Sequence, residues 1–425
     1  MKSLITKLGE KSVYDAVCGC TRCGFCSQAC PTHLATGRET MSSRGRNQLV
    51  RLLLEDRFED PGSAQDPLST CLLCGACTTA CPGQVPTPDL VLEGRRRLRR
   101  GKVPLAVRAL TRLMLERPAL LAKLLHAGYL AKRLKLDAFA ARTGVLRLLG
   151  LRVLEEMSSH VEETPNYFLE EILRNDKEML VQPGVAWLYI ATCGPNYLFP
   201  KVGLATVKLL KGRLGPGALF KGVCCGLLAY NYGRLEDARA FAKKNIEAFE
   251  NAGAPGSVPL VADCSSCAAF MKSYPQLFAE DPAWRGRAER FASRVRDVLE
   301  VLPPGAAQPG KTGRVTYHDS CQARHKQGLV EEPRRLLKAA LGDRFVEMPA
   351  SDSCCGGAGA FAFVHPRLSD ELVRRKVANI ASVQARRVAT SSTSCLIQLA
   401  RGLKKYYPEC AALHVSELLS EDSDG

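Results

Sequence analysis

Two stretches, "CGCTRCGFCSQACP" (18–31) and "CLLCGACTTACP" (71–82), each contain the run C-x2-C-x2-C-x3-C-P. Three thiolates at three-residue spacing on a tight loop can reach three corners of an iron–sulfur cubane. The fourth corner needs a ligand from elsewhere, and in two-cluster ferredoxins it is the last cysteine of the other run. The crossing predicts one [4Fe–4S] cluster on Cys20, Cys23, Cys26 and Cys81, and a second on Cys71, Cys74, Cys77 and Cys30. Structural zinc normally takes two separated cysteine pairs, so a full run that occurs twice argues against it. Cys18 falls outside the register and reads as a free or structural thiol.

The chain has 425 residues and nineteen cysteines. Its start, "MKSLITKLGEKS", lacks the apolar core of a secretory signal because Lys7 and Lys11 interrupt it. No stretch approaches the roughly eighteen uninterrupted apolar residues of a membrane-spanning helix. The expectation is a cytoplasmic protein, where thiols serve metal or redox chemistry rather than disulfides.

A second cysteine pattern recurs on a longer period. Cys193 and Cys321 are 128 residues apart, Cys225 and Cys355 are 130 apart, and Cys267 and Cys395 are 128 apart. Three landmarks at nearly one offset indicate an internal duplication. Buried-strand runs at 185–190, 258–263, 314–319 and 386–392 lie between helical stretches such as 235–250 and 368–382. Cysteines at the carboxyl ends of strands suit an α/β sheet, where sites gather at that edge. The first set is Cys193, Cys224, Cys225, Cys264 and Cys267. The second is Cys321, Cys354, Cys355 and Cys395, with Ser392 at the position of Cys264. Each adjacent pair precedes a glycine that permits a sharp turn, so both thiols can face one centre. Five thiols make the first set the stronger candidate for a third iron–sulfur cluster. At the second, a fourth cluster and a set of packed thiols are both open readings. His318 and His325 flank Cys321. They could be ligands or proton donors, and hydrogen bonding around the cluster is the preferred role.

The expected fold is α+β and multidomain. A mostly helical bis-[4Fe–4S] ferredoxin-like domain occupies 1–92, and a basic amphipathic helical segment 93–180. Two duplicated α/β Cys-Cys-Gly domains follow at 181–308 and 309–425, divided by the Pro/Gly-rich stretch 302–313. In the middle segment, Pro118, Gly128, Gly144 and Gly150 punctuate several short helices. From Arg95 to Arg152 there are sixteen Lys and Arg against only Glu116 and Asp137, so most of the net charge of +16 sits there. A solvated helical face explains such a run, and so does an acidic partner, anionic lipid or nucleic acid. No nucleic-acid-binding motif or basic stripe interleaved with aromatics accompanies it, so no nucleic acid is expected.

Together these residues resemble the glycolate oxidase iron–sulfur subunit family, which also covers iron–sulfur subunits of D-lactate dehydrogenases. The echoes are "SRGR" (43–46), "CCGLLAYNYG" (224–233), "YHDSC" (317–321), "CCGGAGAF" (354–361) and "SCLIQL" (394–399). The chain departs from the family in "STSC" before Cys395, where Asn-Pro-Gly-Cys is usual, and in having Cys264. The resemblance implies an electron-transfer subunit of a 2-hydroxyacid dehydrogenase acting on D-lactate or glycolate, not catalytic alone. On its charge alone, and not from the resemblance, the Arg95–Arg152 segment is expected to dock to a partner or to the inner membrane surface. By the resemblance, FAD would reside in a partner subunit, and electrons would pass on to a quinone, cytochrome or other carrier. The sequence agrees by omission, since it shows no flavin or nicotinamide fingerprint. Hydride removal delivers two electrons whereas a cluster passes one, and a partner flavin resolves that mismatch. Two rival readings are a catalytic subunit resembling heterodisulfide reductase and the iron–sulfur subunit of anaerobic glycerol-3-phosphate dehydrogenase.

Overall fold

The computed structural model describes residues 12–99, 105–136, 164–181, 184–253, 257–305, 313–359 and 361–421. Short helices and parallel strands alternate through the second half, while the cysteine-rich start is helical with irregular loops.

The first sheet is parallel throughout, in the order β2 (Gly217–Phe220), β1 (Trp187–Ile190), β3 (Leu260–Ala262), β4 (Val295–Asp297). Every residue of β1, β2 and β3 is buried, as continuous apolar strands covered on both faces require. The second sheet runs β5 (Val315–Tyr317), β6 (Arg387–Thr390), β7 (Ala411–His414), also parallel. An isolated bridge, Val315 to Phe345, lies where the first sheet pairs Trp187 with Gly217. Subtracting the repeat offset superposes the two pairs, so the second sheet is the first with one strand reduced to a bridge.

The crossover helices repeat as well. Helix Leu235–Asn251 buries Ala238, Phe241, Ala242, Asn245 and Ile246, and helix Pro366–Ser382 buries Ser369, Leu372, Val373, Lys376 and Val377. Both are buried stripes at helical spacing, apolar except for Asn245 in the first and Ser369 and Lys376 in the second. The two halves share one core in which Trp187, Tyr189 and Val207 of the first meet Tyr317, Leu336 and Leu418 of the second. Each half also packs its last helix on the other's first crossover helix. Val298–Val301 contacts Glu331–Leu341, and Val415–Glu421 contacts Pro200–Leu214. Thr206 Oγ1 donates to Ser416 Oγ (2.8 Å) inside the second of these contacts.

In the basic segment, helices Leu105–Glu116 and Pro118–Arg133 are amphipathic. Pro118 starts the second, as its fixed φ allows. Gly128 was expected to interrupt this region but lies inside that helix, where an added Cβ would meet nothing within 4 Å. An exposed helical glycine costs only about 1 kcal/mol, so the helix runs through it. Gly144, Gly150 and most of the 302–313 linker lie outside the described residues. Helix Thr87–Arg99 runs across position 92/93, so the covalent junction there is a continuous helix.

Candidate metal centres

All nineteen cysteines are free thiols. In both ferredoxin-type runs the middle cysteine is flanked by left-handed backbone, at Arg22 (φ +61°) and Gly24 (φ +92°) in the first, and at Leu73 (φ +55°) and Gly75 (φ +86°) in the second. Each glycine then caps a short helix, Phe25–Ala29 or Ala76–Thr79. A glycine adopts this conformation at little cost; it turns the chain so that the third cysteine of the run follows at once.

The thiols of the two runs cross between two cavities. Cys20, Cys23, Cys26 and Cys81 line one of about 330 Å³, together with Cys77. Cys30, Cys71, Cys74 and Cys77 line a tighter one of about 20 Å³. Each predicted set of four therefore converges, with its fourth thiol supplied from the other run. Cys77 borders both cavities. The donor sets and their convergence fit [4Fe–4S] clusters.

Helix Ser43–Leu54 lies between the two sets. Arg46, 1 % exposed, donates from Nε to the Pro67 carbonyl (2.8 Å) and from Nη2 to Thr32 Oγ1 (2.9 Å), and places Nη1 3.6 Å from Cys30 Sγ. Burial pushes the Cys30 thiol up, but the Arg46 charge and the Thr32 hydroxyl outweigh it, and the net shift is downward. The Ser43 hydroxyl favours the thiolate at Cys26, Cys30 and Cys77 alike. Cys77 is nonetheless raised to about 12, chiefly by burial. Arg95, counted within the basic run, donates to the carbonyls of Leu68 (2.8 Å), Ser69 (3.0 Å) and Cys71 (2.5 Å). It is a clamp on the second run's loop. Charge counting missed both arginines as site residues, although "SRGR" carried Arg46.

In the first Cys-Cys-Gly set the five thiols are linked through pairwise contacts. Cys193 meets Cys224 and Cys267, Cys225 meets Cys224 and Cys267, and Cys264 meets Cys267. Cys225 is held below the usual thiol range by hydrogen bonding from Cys224, and Cys264 by hydrogen bonding from Cys267. In the second set, contacts run Cys321–Cys354–Cys355–Cys395. The glycine after each pair is left-handed, Gly226 at +86° and Gly356 at +83°. Each backs onto the equivalent helix, where an added Cβ would sit 2.9 Å from Phe241 Cβ or Leu372 Cβ.

His318 is buried beside this second set, and its ring nitrogen groups with the Cys355 and Cys395 sulfurs within 4.8 Å. Burial, aided by the Lys376 charge, lowers its pKa to about 3, so the imidazole is neutral. The hydrogen-bonding role expected for His318 finds no partner among the described residues. His325 Nδ1 lies 3.1 Å from Thr79 Oγ1, across the junction with the ferredoxin-type region. Lys376, fully buried, donates to the carbonyls of Ala350 (2.6 Å) and Ser351 (3.1 Å).

That junction puts thiols of different sets together. Cys74, Cys354, Leu72, Phe361 and Leu372 form one buried cluster, with Cys321 against it. Burial raises the Cys74 thiol, and Cys321 adds to the rise. Gln322 Nε2 reaches the Leu73 carbonyl (3.5 Å), and helix Pro31–Thr36 packs on helix Pro366–Ser382.

A cysteine-lined double cavity beside duplicated cysteine-rich α/β units defines an iron–sulfur electron-transfer protein. The 4Fe-4S dicluster domain matches residues 16–85, and the cysteine-rich domain matches twice, at 187–272 and 315–400. The chain is 29 % identical to the probable glycolate oxidase iron-sulfur subunit of Bacillus subtilis, over 99 % of this chain and 97 % of that protein. It is 28 % identical to the glycolate oxidase iron-sulfur subunit of Escherichia coli, over 90 % and 89 %. Lactate utilization protein A of an Exiguobacterium species is 37 % identical over 56 % of this chain and 98 % of that protein. The chain belongs to the family of the glycolate oxidase iron–sulfur subunits and lactate utilization protein A.

Proposed function

We propose that this chain relays electrons from a FAD-bearing 2-hydroxyacid dehydrogenase subunit, acting on D-lactate or glycolate, to a quinone, cytochrome or other carrier. The observation that carries this reading is the continuity of the thiol sets. Cys77 borders both ferredoxin-type cavities, and Cys74 packs with Cys321 and Cys354 of the second Cys-Cys-Gly set. Iron–sulfur groups supply one-electron carriage, and contiguous ligand sets keep successive carriers close. The chain's own residues hold the thiolates, exclude water from Cys74, Cys77 and Cys355, and set local charge through Arg46 and Lys376.

Docking is assigned to the basic helices. Leu120, Leu124 and Leu130 are exposed on helix Pro118–Arg133, next to Lys123, Lys132 and Arg133. Apolar side chains among cations suit the surface of an anionic bilayer, and no helix among the described residues is long and apolar enough to cross one. Flotation with anionic vesicles tests this; a protein that stays at the bottom leaves these helices to the partner subunit.

The function is tested by anaerobic purification with associated proteins, counting iron and flavin, then adding D-lactate, glycolate or glycerol 3-phosphate under EPR. Reduction of the iron–sulfur signals by D-lactate or glycolate supports the reading. No reduction by either acid, with FAD present, overturns it.

A further inference from the structure

The two Cys-Cys-Gly sets differ in a compensating way. Cys264, on the turn after β3, is a member of the first set, and its counterpart after β6 is Ser392. The Ser392 hydroxyl is engaged at the contact between the halves, 3.0 Å from Ser266 Oγ and 3.1 Å from Ser394 Oγ. The second set is therefore one donor short. The same offset pairs His318 with Ile190, the last residue of β1. Ile190 is buried in an apolar core with Cys225, Cys264 and Cys267. At the equivalent place in the second half, immediately after β5, stands an imidazole.

His318 is 1 % exposed, and neither ring nitrogen has a hydrogen-bond partner among the described residues. The Ser351 carbonyl approaches the ring closely enough to act on it weakly but falls outside hydrogen-bond geometry. It already accepts from the Asp319 N–H (3.1 Å) and from Lys376 Nζ (3.1 Å). A buried polar group without a partner is costly, and such groups in native proteins call for an explanation. One is at hand in the sulfurs of Cys355 and Cys395, which with a His318 ring nitrogen fall within 4.8 Å of one another.

We propose that His318 is the fifth donor of the second set, binding an iron of the iron–sulfur group held by Cys321, Cys354, Cys355 and Cys395. This rests on the reading that the second set holds iron. The bond is dative: one ring nitrogen gives its lone pair to iron, the other keeps its proton, and no electron changes hands. A neutral nitrogen in place of a thiolate removes one negative charge from the ligand shell. Such replacement raises reduction potential, as histidine ligation does in Rieske centres. Lys376 acts in the same direction, since it stands where the first half has the neutral Asn245. The second set is thus the more oxidising of the two, and it is the one packed against Cys74.

The test uses full-length protein labelled with 15N-histidine, purified anaerobically and examined by pulsed EPR in oxidised and reduced states. The expected result is a nitrogen hyperfine coupling that follows the isotope and is lost in His318→Gln. His318→Cys should keep the iron, lose the coupling and shift the signal of this set to lower potential. Cys355→Ala reports separately whether iron is there. If Cys355→Ala loses iron but no histidine nitrogen couples, or the coupling survives in His318→Gln, the histidine assignment is wrong and the metal reading stands. If Cys355→Ala retains all its iron, or the set holds zinc, both are wrong.

Discussion

Arg46 Nη1 lies 3.6 Å from the sulfur of Cys30, and the guanidinium is held there by the Pro67 carbonyl and the Thr32 hydroxyl. A fixed positive charge beside one thiolate favours the more electron-rich state of whatever that thiolate binds. Arg46→Gln should lower the midpoint potential of the cluster proposed on Cys71, Cys74, Cys77 and Cys30. A shift of roughly 60 mV corresponds to a tenfold change for one electron. The cluster on Cys20, Cys23, Cys26 and Cys81 should move much less. EPR-monitored redox titration separates the two, and equal shifts would remove the argument for local control.

The crossed ligation proposed for these thiols makes a sharper demand. Cys26→Ala and Cys30→Ala alter neighbouring positions of the same run, yet the two thiols line different cavities. Each variant should lose about four irons, but from different clusters. Cys30→Ala should resemble Cys74→Ala by EPR, and Cys26→Ala should resemble Cys81→Ala. If Cys26→Ala and Cys30→Ala remove the same signal, the ligands do not cross.

What the sequence disclosed and what it concealed follow from the range of the interactions involved. The ferredoxin-type sets were legible because a cubane fixes ligand spacing within a dozen residues. The duplication was legible from its cysteine landmarks, and the structure extends it to other side chains. Tyr189 donates to Asp263 (2.6 Å), and the equivalent Tyr317 and Ser391 hydroxyls lie 3.1 Å apart. The neighbour of each set was not legible. The approach of Cys74 to Cys321 depends on contacts such as His325 with Thr79, 246 residues apart, and no local pattern encodes them. Arg46, Arg95 and Lys376 were hidden for another reason, because composition counts a charge without saying whether it faces solvent or a carbonyl. The exchange of C-terminal helices between the halves leaves only an amphipathic pattern, which does not name its partner.

The left-handed glycine after each cysteine pair should tolerate no side chain. An alanine at Gly356 would need φ near +83° and would bring Cβ to 2.9 Å from Leu372 Cβ and 3.0 Å from the Ser369 carbonyl. Gly37 has a similar φ of +66° but nothing within 4 Å. Gly37→Ala should cost only the conformational term, roughly 1–2 kcal/mol. Gly356→Ala adds overpacking of about 1–3 kcal/mol and should disturb the thiols of Cys354 and Cys355. Thermal unfolding of the two variants checks the difference; equal losses would mean that the helix behind Gly356 yields freely.

His414 ties the end of the second sheet to the first and should make stability depend on pH. One ring nitrogen, Nδ1, accepts from the Ser416 N–H (3.2 Å), so Nε2 carries the proton and donates to the Asp263 carbonyl (2.9 Å). Burial lowers its pKa from 6.5 to about 4. The unfolded chain then binds a proton that the folded chain refuses between these values. Its contribution to stability is complete above about pH 6.5 and is lost as pH falls towards about 4. Asp263, raised to about 7 by burial, titrates nearby in the opposite sense, and Glu417 accepts from the His414 N–H (2.9 Å). The test is therefore a difference between wild type and His414→Gln, which leaves both carboxyls in place. Going from about pH 7.5 to about pH 5.5, wild type should lose roughly 1.4 kcal/mol more than the variant. Parallel pH profiles for the two proteins would show that His414 is free to protonate in the folded state.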